Sequence, residues 1–155
     1  MGIEIERKFL VKDDSFKKDA SEKHLYQQGY IEGPFMATVR VRIIEDTGYI
    51  TIKSKSVNFT RYEYEYEIPL TDAQEMLTNL CGNKMEKYRH IVWFEGKRWE
   101  VDEFIGENKG LFVAELELKS EEEAFALPNW LGEEVTHDFR YRNSFISQNP
   151  FNTWE

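Results

Sequence analysis

The chain has 155 residues, with 20 Lys and Arg against 29 Asp and Glu, for a formal net charge of −9. That length suits one core, and the acid excess argues against binding nucleic acid unless the basic residues are segregated. The lone Cys81 excludes an internal disulfide framework and thiolate metal clusters; no apolar run approaches the ~20 residues that span a bilayer, so a single soluble domain over residues 1–155, cytoplasmic and free of membrane, is expected.

The first element is Ile3-Glu4-Ile5-Glu6, whose two-residue alternation continues through Lys8 and is the period of a strand with unlike faces. A second strand is expected near 24–32. After Gly33-Pro34 the alternation returns in Thr38–Ile43, and Asp46-Thr47-Gly48 predicts a hairpin into Ile50–Lys53. Tyr62–Ile68 follows, then Pro69 and a helix beginning at Thr71, with Thr71 as its cap, Met76, Leu77 and Leu80 as its apolar side and Gly82 after its end. Strands near 85–94, over Trp99–Asp102 and over Val113–Leu118 complete the set, with Glu95-Gly96-Lys97 as a second hairpin turn. A short helix is expected after Ser120, carrying Glu121, Glu122 and Glu123 near its positive end, and another over Phe139 to Phe145. About eight strands with connections this short favour antiparallel neighbours, and eight is the number at which a closed barrel begins to have room inside. The expected fold is α+β, a closed eight-stranded antiparallel β-barrel with helices packed outside.

The charges keep one parity on each strand. Glu4, Glu6 and Lys8 share a face, as do Arg40 and Arg42, Lys53 and Lys55, Glu63 and Glu65, Lys87 and Arg89, Glu100 and Asp102, and Glu115, Glu117 and Lys119. On a one-sided sheet these would be an ordinary solvated face. If the apolar faces pack outward, the charged faces line a lumen in which eight basic and eight acidic side chains nearly cancel. Burying like charges two residues apart is costly unless opposite charges, water or a ligand compensates. Lys and Arg supply donors to phosphoryl oxygens, and grouped carboxylates supply the oxygen ligands that Mg²⁺ or Mn²⁺ prefers. A polyphosphate chelating a divalent metal satisfies both groups. Tyr62, Tyr64 and Tyr66 take the opposite parity and are expected in outward core, while His24, His90 and His137 are scattered without metal or triad spacing.

Glu4-Ile5-Glu6-Arg7-Lys8 resembles the Glu-x-Glu-x-Lys signature of the CYTH superfamily, the triphosphate tunnel metalloenzymes, and the later charged pairs follow in the order that resemblance predicts. The resemblance implies an eight-stranded tunnel and cleavage or cyclisation of a triphosphate. Hydrolysis of inorganic triphosphate to pyrophosphate and phosphate is the preferred activity; the alternatives are adenylate cyclase, thiamine triphosphatase, or a noncatalytic polyphosphate or nucleotide sensor. By resemblance, Glu4, Glu6, Glu115 and Glu117 are metal-site carboxylates with Asp102 a further contributor. Arg40, Arg42, Lys53, Lys55, Lys87 and Arg89 cradle the triphosphate, and Lys8 lies against its terminal phosphate. Lys8, Glu4, Glu6 and Glu117 are the expected catalytic set, with Glu63, Glu65, Glu100 and Lys119 as additional tunnel residues. The stretch His137–Asn143 resembles the family's closing motif, and Arg140 is the residue there expected to reach phosphate. The implied cofactor is Mg²⁺ or Mn²⁺ and the implied partner a small-molecule triphosphate; an oligomer stays open.

Overall fold

The alternation resolves into nine strands in a computed structural model of the protein, which describes residues 2–34 and 36–154. They are β1 (Gly2–Val11), β2 (Ala20–Ile31), β3 (Thr38–Ile44), β4 (Thr47–Lys53), β5 (Thr60–Ile68), β6 (Cys81–Phe94), β7 (Lys97–Phe104), β8 (Phe112–Glu117) and β9 (Leu131–Glu134), with helices α1 (Leu70–Asn79) and α2 (Asn143–Gln148). Hydrogen bonding runs β5-β4-β3-β2-β6-β7-β8-β1, and β5 also pairs with the first residues of β1, so the sheet closes as an eight-stranded barrel. Every pairing is antiparallel. The short β9 pairs with β1 at Phe9 and Val11, beyond the stretch that β5 occupies, and was not among the expected strands.

The apolar parity faces outward and is covered in patches. Phe9, Trp99, Leu116 and Val101 pack under Phe16 and Trp130, supplied by the connections flanking the barrel. On another side Val41 and Ile43 lie under Ala73 and Leu77 of α1. The helix sits hard on the sheet: a Cβ at Gly48 would lie 2.7 Å from the Ala73 Cβ. Two turns carry positive φ where the hairpins reverse, at Glu45 (55°) and at Glu95-Gly96 (49° and 76°), a geometry that matches the twist of the strands they join.

Four local expectations are corrected. Thr71 lies inside α1, whose cap position is Pro69 without a side-chain cap bond, and Leu80 is exposed, so the buried side of the helix is Ala73 and Leu77. Residues after Ser120 form a turn and extended chain rather than a helix. The segment near Phe139 is a short 3-10 turn, Phe139–Tyr141, followed by α2. Tyr62, Tyr64 and Tyr66 do point outward, but at 58%, 46% and 61% exposure they are covered by no element among the described residues.

Candidate active site

The inward parity of the eight strands lines a cavity of about 210 Å³ inside the barrel. Glu4, Glu6 and Lys8 enter from β1, Arg40 and Arg42 from β3, Lys53 from β4, Glu63 and Glu65 from β5, Lys87 and Arg89 from β6, Glu100 from β7, and Glu115 and Glu117 from β8. Because side chains alternate across a strand and neighbouring strands are in fixed register, these residues meet as cross-strand pairs. Glu6 faces Glu117, Lys8 faces Glu115 and Lys53 faces Glu63.

Four expected site residues take other places. Lys55 lies past the end of β4 and is exposed, and Lys119 is exposed beyond β8; neither lines the cavity. Arg140 turns back on Asp138, its Nη2 2.6 Å from the carboxylate, and stays at the surface. Asp102 is wholly buried behind the lining: Lys87 Nζ donates to it at 2.6 Å and Arg89 Nε at 2.8 Å. Those two cations, outweighing the burial that pushes its carboxyl up, hold Asp102 far below the ordinary carboxylate range; it is their counter-ion and does not line the cavity.

Other residues occupy the places those leave. Arg61 lines the cavity and its Nε donates to Glu4 at 2.9 Å; it precedes Glu63 by two residues and shares its parity, so the alternation already pointed to it. Arg142, Asn143 and Ser144 close the lumen at the start of α2. Tyr26 and Tyr30 line it from β2, where an inward aromatic has the same sequence signature as an outward one.

The cations differ in how fully they are matched. Arg89 meets Asp102, Glu100 at 3.3 Å and Glu115 at 3.1 Å. Lys53 meets Glu4 at 3.1 Å and Glu63 at 3.2 Å. Lys8 stands 3.8 Å from Glu115 and donates to the Tyr141 carbonyl at 3.4 Å. Arg42 is buried and, among the described residues, has no carboxylate partner; its Nε donates to Gln28 at 2.8 Å. Burial, with Arg40 and Arg89 adding to it, pulls its guanidinium down to about 10. Neighbouring Arg40 reaches Glu65 at 3.5 Å through Nη2, and its buried Nε has no hydrogen-bond partner among the described residues. Burial likewise pulls Lys87 down to about 7; Asp102 opposes this, whereas Arg89 and Arg42 add to it.

The acids divide the same way. Burial pushes Glu4 up, but Lys53 and Arg61 outweigh it and leave the carboxyl well below its usual range. Glu6 is pushed up to about 8, by burial first and then by Glu115 and Glu4. Glu117 also rises, from burial and then from Glu4, Glu63 and Glu100. Among the described residues no three carboxylate, His or Cys side chains are arranged to hold a metal ion by themselves. Glu6 and Glu117 stand opposite each other in the β1–β8 register, and carboxylates of this kind suit a small divalent cation, which is commonly held by one or two of them while substrate phosphates complete its shell.

A charge expectation follows from Lys87. At pH 8 a lysine that titrates near 7 is mostly neutral, and a polyanion beside it restores the ammonium. Tripolyphosphate binding without metal is therefore expected to take up more protons at pH 8 in the parent than in a Lys87→Met variant, since the ligand's own titration and that of Glu6 are common to both. Titration calorimetry in buffers of different ionisation enthalpy measures the difference, and equal proton counts in the two proteins would contradict it.

The fold and lining define a class: closed antiparallel barrels whose interior is a charged tunnel, basic groups and carboxylates meeting around one small cavity. Residues 2–144 match the CYTH domain family, and the chain belongs to it. It is 49% identical over 156 residues to an inorganic triphosphatase of Acetivibrio thermocellus, covering 100% of this chain and 99% of that one. An inorganic triphosphatase of Nitrosomonas europaea is 34% identical over 148 residues, covering 93% and 96% of the two chains. A crystal structure of an inorganic triphosphatase superposes with a TM-score of 0.68 at 34% identity, covering 93% of each chain. The family implies dependence on a divalent metal. No helix among the described residues is long and apolar enough to cross a membrane.

Proposed function

We propose that this protein hydrolyses inorganic triphosphate to pyrophosphate and phosphate with Mg²⁺ or Mn²⁺, the 155 residues working as one catalytic unit. The observation that carries the reading is Arg42, a buried guanidinium with no acidic partner among the described residues, beside an Arg40 whose Nε is left unbonded. An unmatched buried cation costs several kcal/mol after relaxation, and a polyanion offsets that cost on binding. Cavity volume favours an inorganic substrate: about 210 Å³ is below the ~300 Å³ at which pockets for organic ligands usually begin.

Arg40, Arg42, Lys53, Lys87 and Arg89 bind and orient the phosphoryl chain, and Lys8 holds its terminal group beside Glu115. Glu6 and Glu117, with Glu4 and Glu115 beside them, are the carboxylates that would hold the metal. When bound, that ion draws charge from the terminal phosphoryl group and lowers the pKa of water. Hydrolysis needs no covalent nucleophile, since the barrier lies in placing water in line and matching charge on the transferring group. Water supplies the oxygen that bonds to the terminal phosphorus, the bridging P–O bond breaks, and pyrophosphate leaves.

The test is a panel of tripolyphosphate, ATP, thiamine triphosphate and long-chain polyphosphate, with Mg²⁺, Mn²⁺ or EDTA, following phosphate, pyrophosphate and cyclic AMP. Metal-dependent release of phosphate and pyrophosphate from tripolyphosphate, abolished by EDTA, is expected. Cyclic AMP with pyrophosphate from ATP would identify a cyclase, preference for thiamine triphosphate would identify that triphosphatase, and binding without turnover would identify a sensor.

A further inference from the structure

Three basic residues of the tunnel share one neighbour that is not an acid. Arg42 Cζ and Arg89 Cζ each lie 4.8 Å from the centre of the Tyr26 ring, and Lys87 Nζ lies 5.7 Å from it. Strand order explains the meeting. β2 runs between β3, which supplies Arg42, and β6, which supplies Lys87 and Arg89, and Tyr26 stands directly across from Lys87. The ring is buried and lines the cavity.

The next inward residue of β2 continues the contact. Gln28 is fully buried and cross-strand from Arg42. It accepts the Arg42 Nε–H at 2.8 Å and donates to Asn143 Oδ1 at 3.0 Å, and the same Oδ1 accepts from Lys87 Nζ at 2.7 Å. Two successive inward positions of one strand thus touch the cations of both neighbouring strands.

A ring face attracts a cation through its quadrupole, and the attraction strengthens where water is excluded. It does so without accepting an N–H hydrogen bond, which a carboxylate would. Arg42 has five N–H donors; Gln28 accepts one at Nε, and the ring accepts none, so among the described residues four stay free for phosphoryl oxygens. Asp102 shows the contrasting solution, since it quenches donors of both Lys87 and Arg89.

We propose that Tyr26 is a positioning residue for the phosphoryl chain: its ring lies against Arg42, Arg89 and Lys87 and holds Arg42 beside the other two without using the Arg42 donors. Gln28 fixes the rotation of Arg42 within that arrangement. The proposal rests on the reading of the tunnel as a triphosphate site and names a determinant of its affinity.

The test replaces residue 26 by phenylalanine and then by phenylalanines bearing one to five ring fluorines, which keep the shape while weakening and finally reversing the charge on the ring face. Tyr26→Leu removes the ring. Tripolyphosphate affinity is measured by calorimetry, KM and kcat by phosphate release with Mg²⁺, and the melting temperature of each empty variant alongside. The expected result is a stepwise loss of affinity with fluorination, reaching about tenfold in the fully fluorinated and Leu variants, with KM rising more than kcat falls. A ring that merely fills space predicts equal affinity across the fluorinated series, and that outcome overturns the proposal even if Tyr26→Leu fails to fold. Failure of the parent protein to bind tripolyphosphate would overturn the triphosphate reading itself, and this proposal with it.

Discussion

Arg42→Met is expected to weaken tripolyphosphate binding by about 100-fold while leaving the empty protein at least as stable as the parent. The first half follows from the site: truncating a desolvated charged partner typically costs about 2–5 kcal/mol, and Arg42 offers a planar fork that no neighbouring lysine reproduces. Two opposing effects decide the second half. Losing the guanidinium leaves the Gln28 carbonyl without its donor, a cost of about 1–3 kcal/mol. It also removes a buried cation that lacks a carboxylate partner among the described residues and is crowded by Arg40 and Arg89, a burden of several kcal/mol. Relief of the buried charge outweighs the lost hydrogen bond, so the melting temperature is expected to stay level or rise by a few degrees. Arg89→Met is the contrast, because it leaves fully buried Asp102 with Lys87 alone and Glu115 with one fewer partner. That variant is expected to lose both binding and stability. Calorimetric titration with tripolyphosphate and melting curves of the empty proteins measure both halves; an Arg42→Met protein that binds like the parent, or one that melts as early as Arg89→Met, would contradict the account.

The difference between those arginines shows what alternation does and does not encode. Parity placed Glu4, Glu6, Lys8, Arg40, Arg42, Lys53, Glu63, Glu65, Lys87, Arg89, Glu100, Glu115 and Glu117 on one inner surface, where the structure has them, because the period of a strand fixes the face whatever the tertiary fold. Parity cannot say where a strand stops. Lys55 and Lys119 continue the pattern on paper, but β4 ends at Lys53 and β8 at Glu117, and past those points nothing holds the side chains to the lumen. Nor does it give depth: Asp102 has the parity of Glu100, yet it lies behind the lining as the counter-ion of Lys87 and Arg89.

The irregular parts were less legible for a different reason. Arg140 and Arg142 are two residues apart in a segment with no regular period, and a 3-10 turn at Phe139–Tyr141 sends one to the surface and the other to the tunnel. A helical reading over the same residues had no means of separating them. Tyr26 and Tyr62 are both aromatic residues on strands, yet one sits among three cations and the other lies exposed on the outer face. Parity against Glu63 and Glu65 puts Tyr62 outward, whereas β2, with Glu22 and Lys23 adjacent, has no charged face of single parity from which the direction of Tyr26 could be read.

Glu6→Gln is expected to lower turnover of tripolyphosphate by at least 100-fold and at the same time to raise the melting temperature of the metal-free protein. Glu6 is pushed up to about 8, by burial first and then by Glu115 and Glu4, against an ordinary value of about 4.3 for an unfolded glutamate. Between those values the folded state binds a proton that the unfolded chain does not, so the stability of the parent falls as pH rises from about 4.3 to 8. Gln cannot ionise; it therefore removes that slope, and its advantage over the parent grows across the window and is largest at pH 8 and above. Glu4→Gln should do the opposite. Glu4 lies well below its usual range because Lys53 and Arg61 hold it, so its contribution to stability is present above the unfolded value and lost in acid, and removing the charge leaves buried Lys53 and half-buried Arg61 each short of a partner. Both variants are expected to lose activity, since both remove a carboxylate beside the metal and the terminal phosphoryl group. Melting curves from pH 5 to 9 separate them: Glu6→Gln above the parent with the gap widening toward alkaline pH, Glu4→Gln below it throughout. If Glu6→Gln instead melts below the parent at pH 8, Glu6 supports the fold and is not a carboxylate kept at a cost for binding metal.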